Sequence, residues 1–156
     1  MSEVTHATTT NGKLHLDLID TLRTIPEQFS WALGRLDGRK YFAYSLWKLP
    51  EGQHADGEID YKMWPDAYMQ VAGTAKAMTV DVRMLDDGKW TNFTVGRQTV
   101  KKRFGRQKTT VIRWLNHSIV VRENEVFDAA EAATMFEHYL ELGTAPAGCE
   151  LRPVER

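Results

Sequence analysis

The densest group of chemically capable side chains in this sequence is a basic cluster in its second half. The basic cluster comprises Arg97, Lys101, Lys102, Arg103, Arg106 and Lys108. No acidic residue interrupts it, and its position between two predicted strands indicates a hairpin loop. Such a loop could dock on an acidic protein surface or on phosphates, or it could stay solvated and keep sheet edges apart by charge repulsion. The pattern favours the solvated loop first and a protein partner second. Nucleic acid comes last, because no helix-turn-helix, zinc-finger or RNP motif accompanies the cluster.

Acidic residues and histidines are the next candidates for chemistry. Glu51, Asp56, Glu58 and Asp60 surround a glycine-bearing loop, but their spacing departs from the calcium-loop consensus. The five histidines are scattered along the chain, and His138 belongs to a single His-x-x-Glu motif. A helical metal site would need a second such motif. We therefore predict a solvated acidic loop and no metal or other cofactor.

The sequence offers no activated nucleophile. Its lone cysteine, Cys149, lies in a segment rich in Gly, Pro and Ala without a neighbouring base that could form the thiolate. The dinucleotide-binding glycine motif, the P-loop and the Gly-x-Ser-x-Gly elbow are all missing from the sequence. These absences favour a non-enzymatic protein over an enzyme.

Aromatic side chains supply the remaining candidates for a binding site. The five tryptophans are Trp31, Trp47, Trp64, Trp90 and Trp114. Two or three of them should belong to a core between sheet and helix, whereas the others could anchor an interface or line a cleft. We predict that Trp64, which precedes a proline in a loop, is exposed to a partner. The candidate lining residues of a pocket between sheet and helix are Tyr41, Tyr44, Trp47 and Trp90.

Length and composition indicate an ordinary globular domain. A chain of 156 residues with 42% hydrophobic and 26% charged residues can build a core without disulfides or metal. The net charge of −1 gives no general attraction to nucleic acid or to an anionic membrane. The Thr-rich start lacks the apolar core of a signal peptide, and no apolar run approaches the roughly 20 residues that span a bilayer. We predict a cytoplasmic protein with a flexible tail over residues 1–11, a single domain over 12–156 and no membrane association.

Apolar periodicity predicts the elements that would position these residues. Between Leu14 and Ile25 apolar residues recur on one helical face that Pro26 would close, although a short strand starting at Leu14 is the alternative. We favour the helix. From Phe29 onward the period changes to two, and Asp-Gly pairs at 37–38 and 87–88 supply tight hairpin turns. Strands joined by such turns are antiparallel. The sequence therefore predicts an α+β fold with an antiparallel meander of about six strands.

The C-terminal helix has the strongest local signals. Asp128 can cap it, and Glu131 occupies its third position, as in a capping box. Gly143 follows its last residue. Three alanines share a face with Phe136 and Leu140, so the helix backbone can approach a sheet while the two larger side chains supply buried area. We predict a helix over residues 128–142 that packs against the sheet.

This C-terminal block also carries a resemblance to a known family. The block consists of Val126 to Ala133, Phe136, Tyr139, Leu140, Gly143 and Pro146. It resembles the ending of small immunity proteins from bacterial polymorphic toxin systems, in which an Ala-rich helix precedes a Thr-Gly-x-x-Pro-like turn and a last short strand. Here the turn departs in order and reads Gly-Thr-Ala-Pro. The resemblance implies an α+β domain that binds and neutralises a toxin without catalysis, and it transfers no binding residue.

Two main functional hypotheses follow. The first is a non-catalytic protein-binding module, with an immunity-type inhibitor of a toxin as its specific form. The alternative is a small-molecule-binding or enzymatic domain with a pocket between the sheet and the terminal helix. A third hypothesis is a structural or assembly role in which an exposed strand edge makes the contact.

Overall fold

The computed structural model describes residues 4–55, 65–98 and 108–154, which form nine β-strands and two α-helices. In chain order the elements are β1 (His6–Thr10), β2 (Leu14–Asp17), α1 (Ile25–Gly34), β3 (Ala43–Lys48), β4 (Tyr68–Gly73), β5 (Met78–Asp86), β6 (Lys89–Gly96), β7 (Thr109–Trp114), β8 (His117–Arg122), α2 (Ala129–Leu142) and β9 (Glu150–Val154). A short 3₁₀ turn, Glu123–Glu125, connects β8 to the segment before α2. The described chain is therefore α+β, as the sequence predicted.

Seven of the strands form one antiparallel sheet in the order β2-β1-β3-β4-β5-β6-β9. Strands β7 and β8 form a separate two-stranded hairpin. The hairpin turn at Asp87-Gly88 is confirmed, since it joins β5 to β6. The arrangement is not a simple meander, because β1 lies between β2 and β3 and the last strand, β9, pairs with β6. The first two strands of the chain thus form one edge of the sheet and its neighbour, and the last strand, β9, forms the opposite edge.

The prediction of a flexible tail over residues 1–11 does not describe β1, which is paired on both sides. The segment that looked like a tail is rich in threonine, and Thr8, Thr9 and Thr10 are all buried. β-Branched threonine favours strands, and its hydroxyl can be buried when it finds a partner. Thr9 Oγ1 accepts a hydrogen bond of 2.9 Å from Trp47 Nε1. The low hydrophobicity of the segment therefore concealed a buried strand.

The predicted N-terminal helix is wrong in position. The residues from Leu14 form strand β2, and Pro26 begins a helix instead of ending one. Proline is tolerated in the first helical turn because the backbone N–H it lacks has no partner there. Thr24 caps this helix by accepting a hydrogen bond from the backbone N–H of Glu27 at 3.3 Å. The predicted strand at residues 29–33 is therefore wrong as well, since these residues lie in α1.

Helix α2 confirms the C-terminal prediction. Asp128 and Glu131 form a reciprocal capping box, and Gly143 ends the helix in the left-handed conformation with φ of 70°. Only glycine adopts that conformation without steric cost. Phe136 and Tyr139 are buried on the inner face of the helix. The local signals of this segment therefore correspond to the observed helix at both ends.

Both helices pack on the same face of the sheet and enclose the main core. Phe136 of α2 stacks on Tyr44 of β3 with ring centroids 5.6 Å apart, and it meets the Phe29 ring of α1 edge-on at 5.5 Å. These rings join α1, α2 and the sheet in one cluster of buried side chains. The opposite face carries a smaller apolar cluster around Trp47. The sequence predicted that the C-terminal helix packs on the sheet, and the structure adds α1 to the same face.

Two buried tyrosines should ionise only in strongly alkaline solution. Burial raises the pKa of Tyr44 and of Tyr139 to about 12. The unfolded chain has tyrosine pKa values of about 10. Between pH 10 and pH 12 it therefore releases protons that the folded chain retains, and the stability of the fold declines as pH rises through this window.

We expect a tyrosinate absorbance titration at 295 nm of the folded protein to show a component that develops only above pH 11. Replacing Tyr139 by Phe should remove about half of this component, because one of the two buried phenols is then absent. The pH at which this component develops should coincide with the pH at which the helical circular dichroism signal is lost. A single ionisation step near pH 10 in the folded wild-type protein would contradict the prediction.

Candidate functional site

A cleft of about 340 Å³ opens between α1 and the β1–β2 hairpin, on the helix side of the sheet. We call it the apolar cleft. Its apolar wall consists of Leu16, Ile19, Leu22 and Trp31. Thr8, Thr10 and Tyr44 lie at its buried side, and Arg23, Arg35 and Asp17 are the charged residues of the lining. The cleft thus combines exposed apolar side chains, polar side chains and two guanidinium groups in one concavity.

The position of β2 at the sheet edge explains why this apolar surface stays open. β2 pairs with β1 on one side and is the last strand of the seven in the order. Leu14 and Leu16 lie on the same face of β2 as the helices, yet about half of each residue's surface is exposed. The short helix α1 directs Phe29 and Leu33 into the core. Nothing in the described part of the chain covers the leucines of β2 completely.

The exposure of large apolar side chains around the cleft is high. Leu22 is 97% exposed and Trp31 is 53% exposed, and Ile19 is 43% exposed. Single exposed apolar residues are common, but a contiguous group marks an interaction surface. The loop that carries Leu22 is held in place, since Gln28 Nε2 donates hydrogen bonds to the carbonyls of Ile19 and Arg23. The surface is therefore exposed and at the same time fastened to α1.

Cation–π contacts organise the polar side of the cleft. The guanidinium carbon of Arg35 lies 4.0 Å from the ring centroid of Trp31 and 4.0 Å from that of Tyr41. Arg23 lies 5.4 Å from the Trp31 centroid. Stacking of a guanidinium on aromatic faces leaves its in-plane N–H donors available for hydrogen bonds. Trp31 thus positions two cationic groups beside the apolar wall.

Two acidic residues on the strands and turns around the cleft are already engaged. Asp17 Oδ1 accepts a hydrogen bond from the backbone N–H of Ala55, and Asp17 Oδ2 lies 2.8 Å from His54 Nδ1. Asp37 accepts hydrogen bonds from the backbone N–H groups of Arg39 and Tyr41, which hold the pKa of its carboxyl below the usual value. In the described part of the chain, the basic side chains in direct contact with a carboxylate are those of Arg97, Arg152 and His54. Arg23 and Arg35 therefore keep their charge uncompensated by a direct carboxylate contact within this part of the chain.

The residues of the basic cluster have different surroundings. Lys101, Lys102, Arg103 and Arg106 lie outside the described residues, as does Trp64. Lys108 is exposed just before β7. Arg97 follows β6 and serves the fold: it pairs with Glu131, donates to the carbonyl of Val126 at 2.7 Å and lies over the Phe127 ring. A role of the cluster in partner binding stays a prediction.

The predicted pocket residues do not converge on one site. Tyr44 lines the apolar cleft, and Tyr41 lies next to it through its contact with Arg35. Trp47 is buried on the opposite face of the sheet, and Trp90 is 41% exposed on β6, five strands from β2. The helix that borders the cleft is α1, whereas the prediction placed the pocket under the C-terminal helix.

Sequence reasoning named Trp31 only as one of five tryptophans, on a predicted strand, and missed Arg35, although a signal that pairs the two was present. Thr24 and Glu27 have the spacing of a capping box around Pro26, which indicates a helix start. A helix from that point places Arg35 one turn after Trp31 on the same face. Recognising the start of α1 would therefore have paired the two side chains.

A second group of buried polar side chains lies on the sheet face opposite the helices. Glu125 is 2% exposed, and its carboxylate accepts hydrogen bonds from Arg152 Nε and Nη2 at 2.7 and 2.9 Å. The backbone N–H of Arg122 donates to the same carboxylate at 2.8 Å. On neighbouring strands Thr94 donates to Asp81 at 3.0 Å. Each Glu125 oxygen already has a donor from the chain itself, so we assign this group to the fold.

Three further features bear on the chemistry of the protein. Among the described residues, no group of three or more His, Cys, Asp or Glu side chains is placed to hold a metal ion. Burial raises the pKa of the Cys149 thiol, which disfavours the nucleophilic thiolate. Neither helix of the described chain has the length and apolar character needed to cross a membrane.

No protein-family model, no curated protein and no solved structure matches this chain. The surfaces of the described residues are therefore the basis for a functional proposal. The apolar cleft offers a cavity of about 340 Å³ together with exposed apolar side chains and two guanidinium groups that have no direct carboxylate partner among the described residues.

Proposed function

We propose that this protein is a non-catalytic protein-binding module and that the apolar cleft is its contact surface. The observation that carries the proposal is the exposure of Leu22 and Trp31 beside Leu14 and Leu16. Removal of apolar surface from water contributes about 25 cal/mol per Å². A partner that covers these side chains would remove their apolar surface from water, and the complex would be stabilised by that free energy.

The composition of the cleft resembles that of a protein interface. Tryptophan, tyrosine and arginine are the residues most enriched among those that dominate binding energy, and Arg35 contacts the rings of both Trp31 and Tyr41 at the border of the cleft. The exposed surface also extends beyond the concavity, since Leu14 lies outside the lining. A small molecule that filled the cleft would leave that leucine in water, whereas a protein partner could cover it.

The finer form of the proposal follows the resemblance of the C-terminal block to immunity proteins. In that form the partner is a toxin, the protein neutralises it by binding, and both meet in the cytoplasm. The basic cluster from Arg97 to Lys108 is then a second candidate contact, suited to an acidic surface of the partner. The apolar cleft would contact an apolar surface of the partner, whereas the basic cluster would contact an acidic one. Substitutions in each region can therefore distinguish the two contacts.

A second candidate function is the binding of a small molecule in the same cleft. The volume of about 340 Å³ is within the usual range for ligand pockets, which begins at roughly 300 Å³. A thermal-shift screen over metabolites distinguishes this function. A compound that raises the melting temperature at sub-millimolar concentration would favour it, provided that the shift disappears in the Trp31→Ala variant.

We expect Trp31→Ala to weaken binding of the protein partner by 30-fold or more, about 2 kcal/mol, because tryptophan is enriched among the few interface residues whose truncation costs that much. The partner is to be captured with the tagged full-length chain, identified, purified and measured by calorimetry. Trp90→Ala is the matched control, since Trp90 is similarly exposed but lies five strands away from β2. It should change the affinity less than threefold.

Charge reversal at Lys101, Lys102 and Arg103 tests the alternative contact. If this triple variant loses the partner while Trp31→Ala retains full affinity, the basic cluster and not the apolar cleft is the binding surface. If neither variant affects the affinity, the proposed contact surfaces are both wrong. Circular dichroism of each variant must match the wild type for the comparison to hold.

A further inference from the structure

We infer that the apolar cleft accepts an acidic amphipathic segment of the partner protein, with an apolar side chain against Trp31 and Leu22 and a carboxylate on Arg35 and Arg23. The inference rests on the proposed function and specifies the chemistry of the partner. It concerns the charge of the partner's segment. An apolar contact surface does not by itself determine that charge.

The geometry of Arg35 suits it to bind a carboxylate. Its guanidinium is held against two aromatic rings, at 4.0 Å from the centroids of Trp31 and Tyr41. These rings occupy the faces of the guanidinium and accept no in-plane hydrogen bond. The N–H donors in the plane of the guanidinium are therefore left for hydrogen bonding. A planar guanidinium binds a carboxylate through two parallel hydrogen bonds. Because the side chain is already positioned, less rotamer entropy is lost when a partner binds.

The electrostatics of the cleft select against a basic segment. Arg23 and Arg35 both line it, and the exposed Arg39 and Lys40 follow α1 at its C-terminal side. Asp17 is the acidic residue of the lining, and its two oxygens are taken by Ala55 and His54. The exposed Asp20 and Glu27 are sequence neighbours of lining residues, and Glu27 accepts a hydrogen bond from Thr24. A carboxylate that enters this site gains a charge-assisted contact, whereas an ammonium group would meet like charge in a partly desolvated cleft.

The rim of the cleft is already ordered before any partner binds. Gln28 Nε2 donates to the carbonyls of Ile19 and Arg23, and Thr24 caps α1, so the loop that carries Leu22 is fixed at both ends. The apolar wall and the two guanidiniums therefore have defined relative positions. A binding segment must match them with an apolar residue and an acidic residue close together in its own sequence.

A selection from random peptides tests this inference without knowledge of the natural partner. A phage-displayed library of 12-residue peptides is panned on the immobilised full-length chain at low salt, and enriched peptides are synthesised with a fluorescent label. We expect them to carry Asp or Glu within two positions of Leu, Ile, Phe or Trp. Their affinity, measured by anisotropy, should fall at least tenfold for Arg35→Gln and several-fold for Arg23→Gln, and it should weaken as salt rises.

Two controls keep the result specific. Lys89→Gln removes one positive charge on β6, five strands from β2, and should leave the affinity within twofold. Arg35→Glu should lose the acidic peptides and regain affinity for versions whose acidic residue is replaced by lysine. That rescue cannot come from a variant that has simply unfolded.

Three outcomes would overturn the inference: a basic or uncharged consensus, equal affinity of the peptides for wild type and Arg35→Gln, or no enrichment beyond that found with Trp31→Ala. The proposed function can survive each of them. A captured partner whose binding depends on Trp31 but whose contact segment lacks acidic residues would leave the protein-binding module in place and remove only the assignment of charge.

Discussion

Phe136→Ala should lower the free energy of unfolding by about 3–5 kcal/mol, the usual cost of truncating a buried phenylalanine. Phe136 is fully buried, and its ring contacts those of Phe29 and Tyr44. The side chain is thus the point where α1, α2 and the sheet meet. Its loss would leave a cavity between three elements, and each aromatic contact contributes about 0.5–1.5 kcal/mol beyond the buried area.

Urea unfolding followed by circular dichroism measures this effect. Leu142→Ala is the control, because Leu142 lies on the same helix but is 64% exposed. It should change the stability by no more than about 0.5 kcal/mol. A cost below about 1 kcal/mol for Phe136→Ala would show that the two helices do not share the core described above.

Arg152→Ala should destabilise the protein by about 3–5 kcal/mol, because it removes the partner of a buried charge. Glu125 is 2% exposed, so its carboxylate would remain inside the protein with only the backbone N–H of Arg122 as a donor. The strength of the contact also shows in the raised pKa of Arg152, whose main cause is its hydrogen bond with Glu125. The pair links β9 to the 3₁₀ turn and thereby fastens the last strand to the sheet.

A double variant distinguishes the cost of leaving the Glu125 carboxylate buried without a partner from the cost of losing its contact with Arg152. Replacing Glu125 and Arg152 together by leucine removes both charges, and buried ion pairs can often be replaced by apolar residues at little cost. We therefore expect the double variant to be more stable in urea than Arg152→Ala by at least about 2 kcal/mol. Equal stability of the two variants would mean that the charge of Glu125 is solvated when Arg152 is absent.

The two expected losses of stability concern opposite faces of the sheet, and neither residue lines the apolar cleft, although Phe136 stacks on Tyr44 at the buried side of the cleft. Phe136 and Glu125 are buried, whereas Trp31 and Leu22 are exposed. Variants of the cleft should therefore leave the unfolding midpoint almost unchanged while they alter binding. Surface substitutions away from caps and packed side chains usually change stability by about 0.5 kcal/mol or less.

Features that depend on a few neighbouring residues were predictable from the sequence. The capping box of Asp128 and Glu131, the glycine that ends α2 and the Asp-Gly turn between β5 and β6 all correspond to the structure. Each of them involves side chains and backbone groups within four positions along the chain. Such interactions depend mainly on local sequence, but the other Asp-Gly pair, at 37–38, lies between α1 and β3 and joins no two strands, so the surrounding elements still decide what a turn connects.

The start of the chain shows where local patterns are insufficient. The threonines of β1 are polar, and they become a buried strand only because β2 and β3 pair with it on both sides. Leu14 and Leu16 fit a helix as well as a strand, and the pairing of β2 with β1 decides between the two. The energy of strand pairing comes from partners distant in sequence, and periodicity within a single segment does not contain it.

The sequence by itself determined that this chain is an α+β protein with antiparallel strands, a capped C-terminal helix and five tryptophans. Only the tertiary structure decided that Trp47 is buried while Trp31 is exposed, because β3 lies inside the sheet and α1 borders its open edge. It also brought Arg35, Trp31 and the leucines of β2 to one cleft. A residue's chemistry belongs to the sequence, but its exposure and its neighbours depend on how distant segments pack.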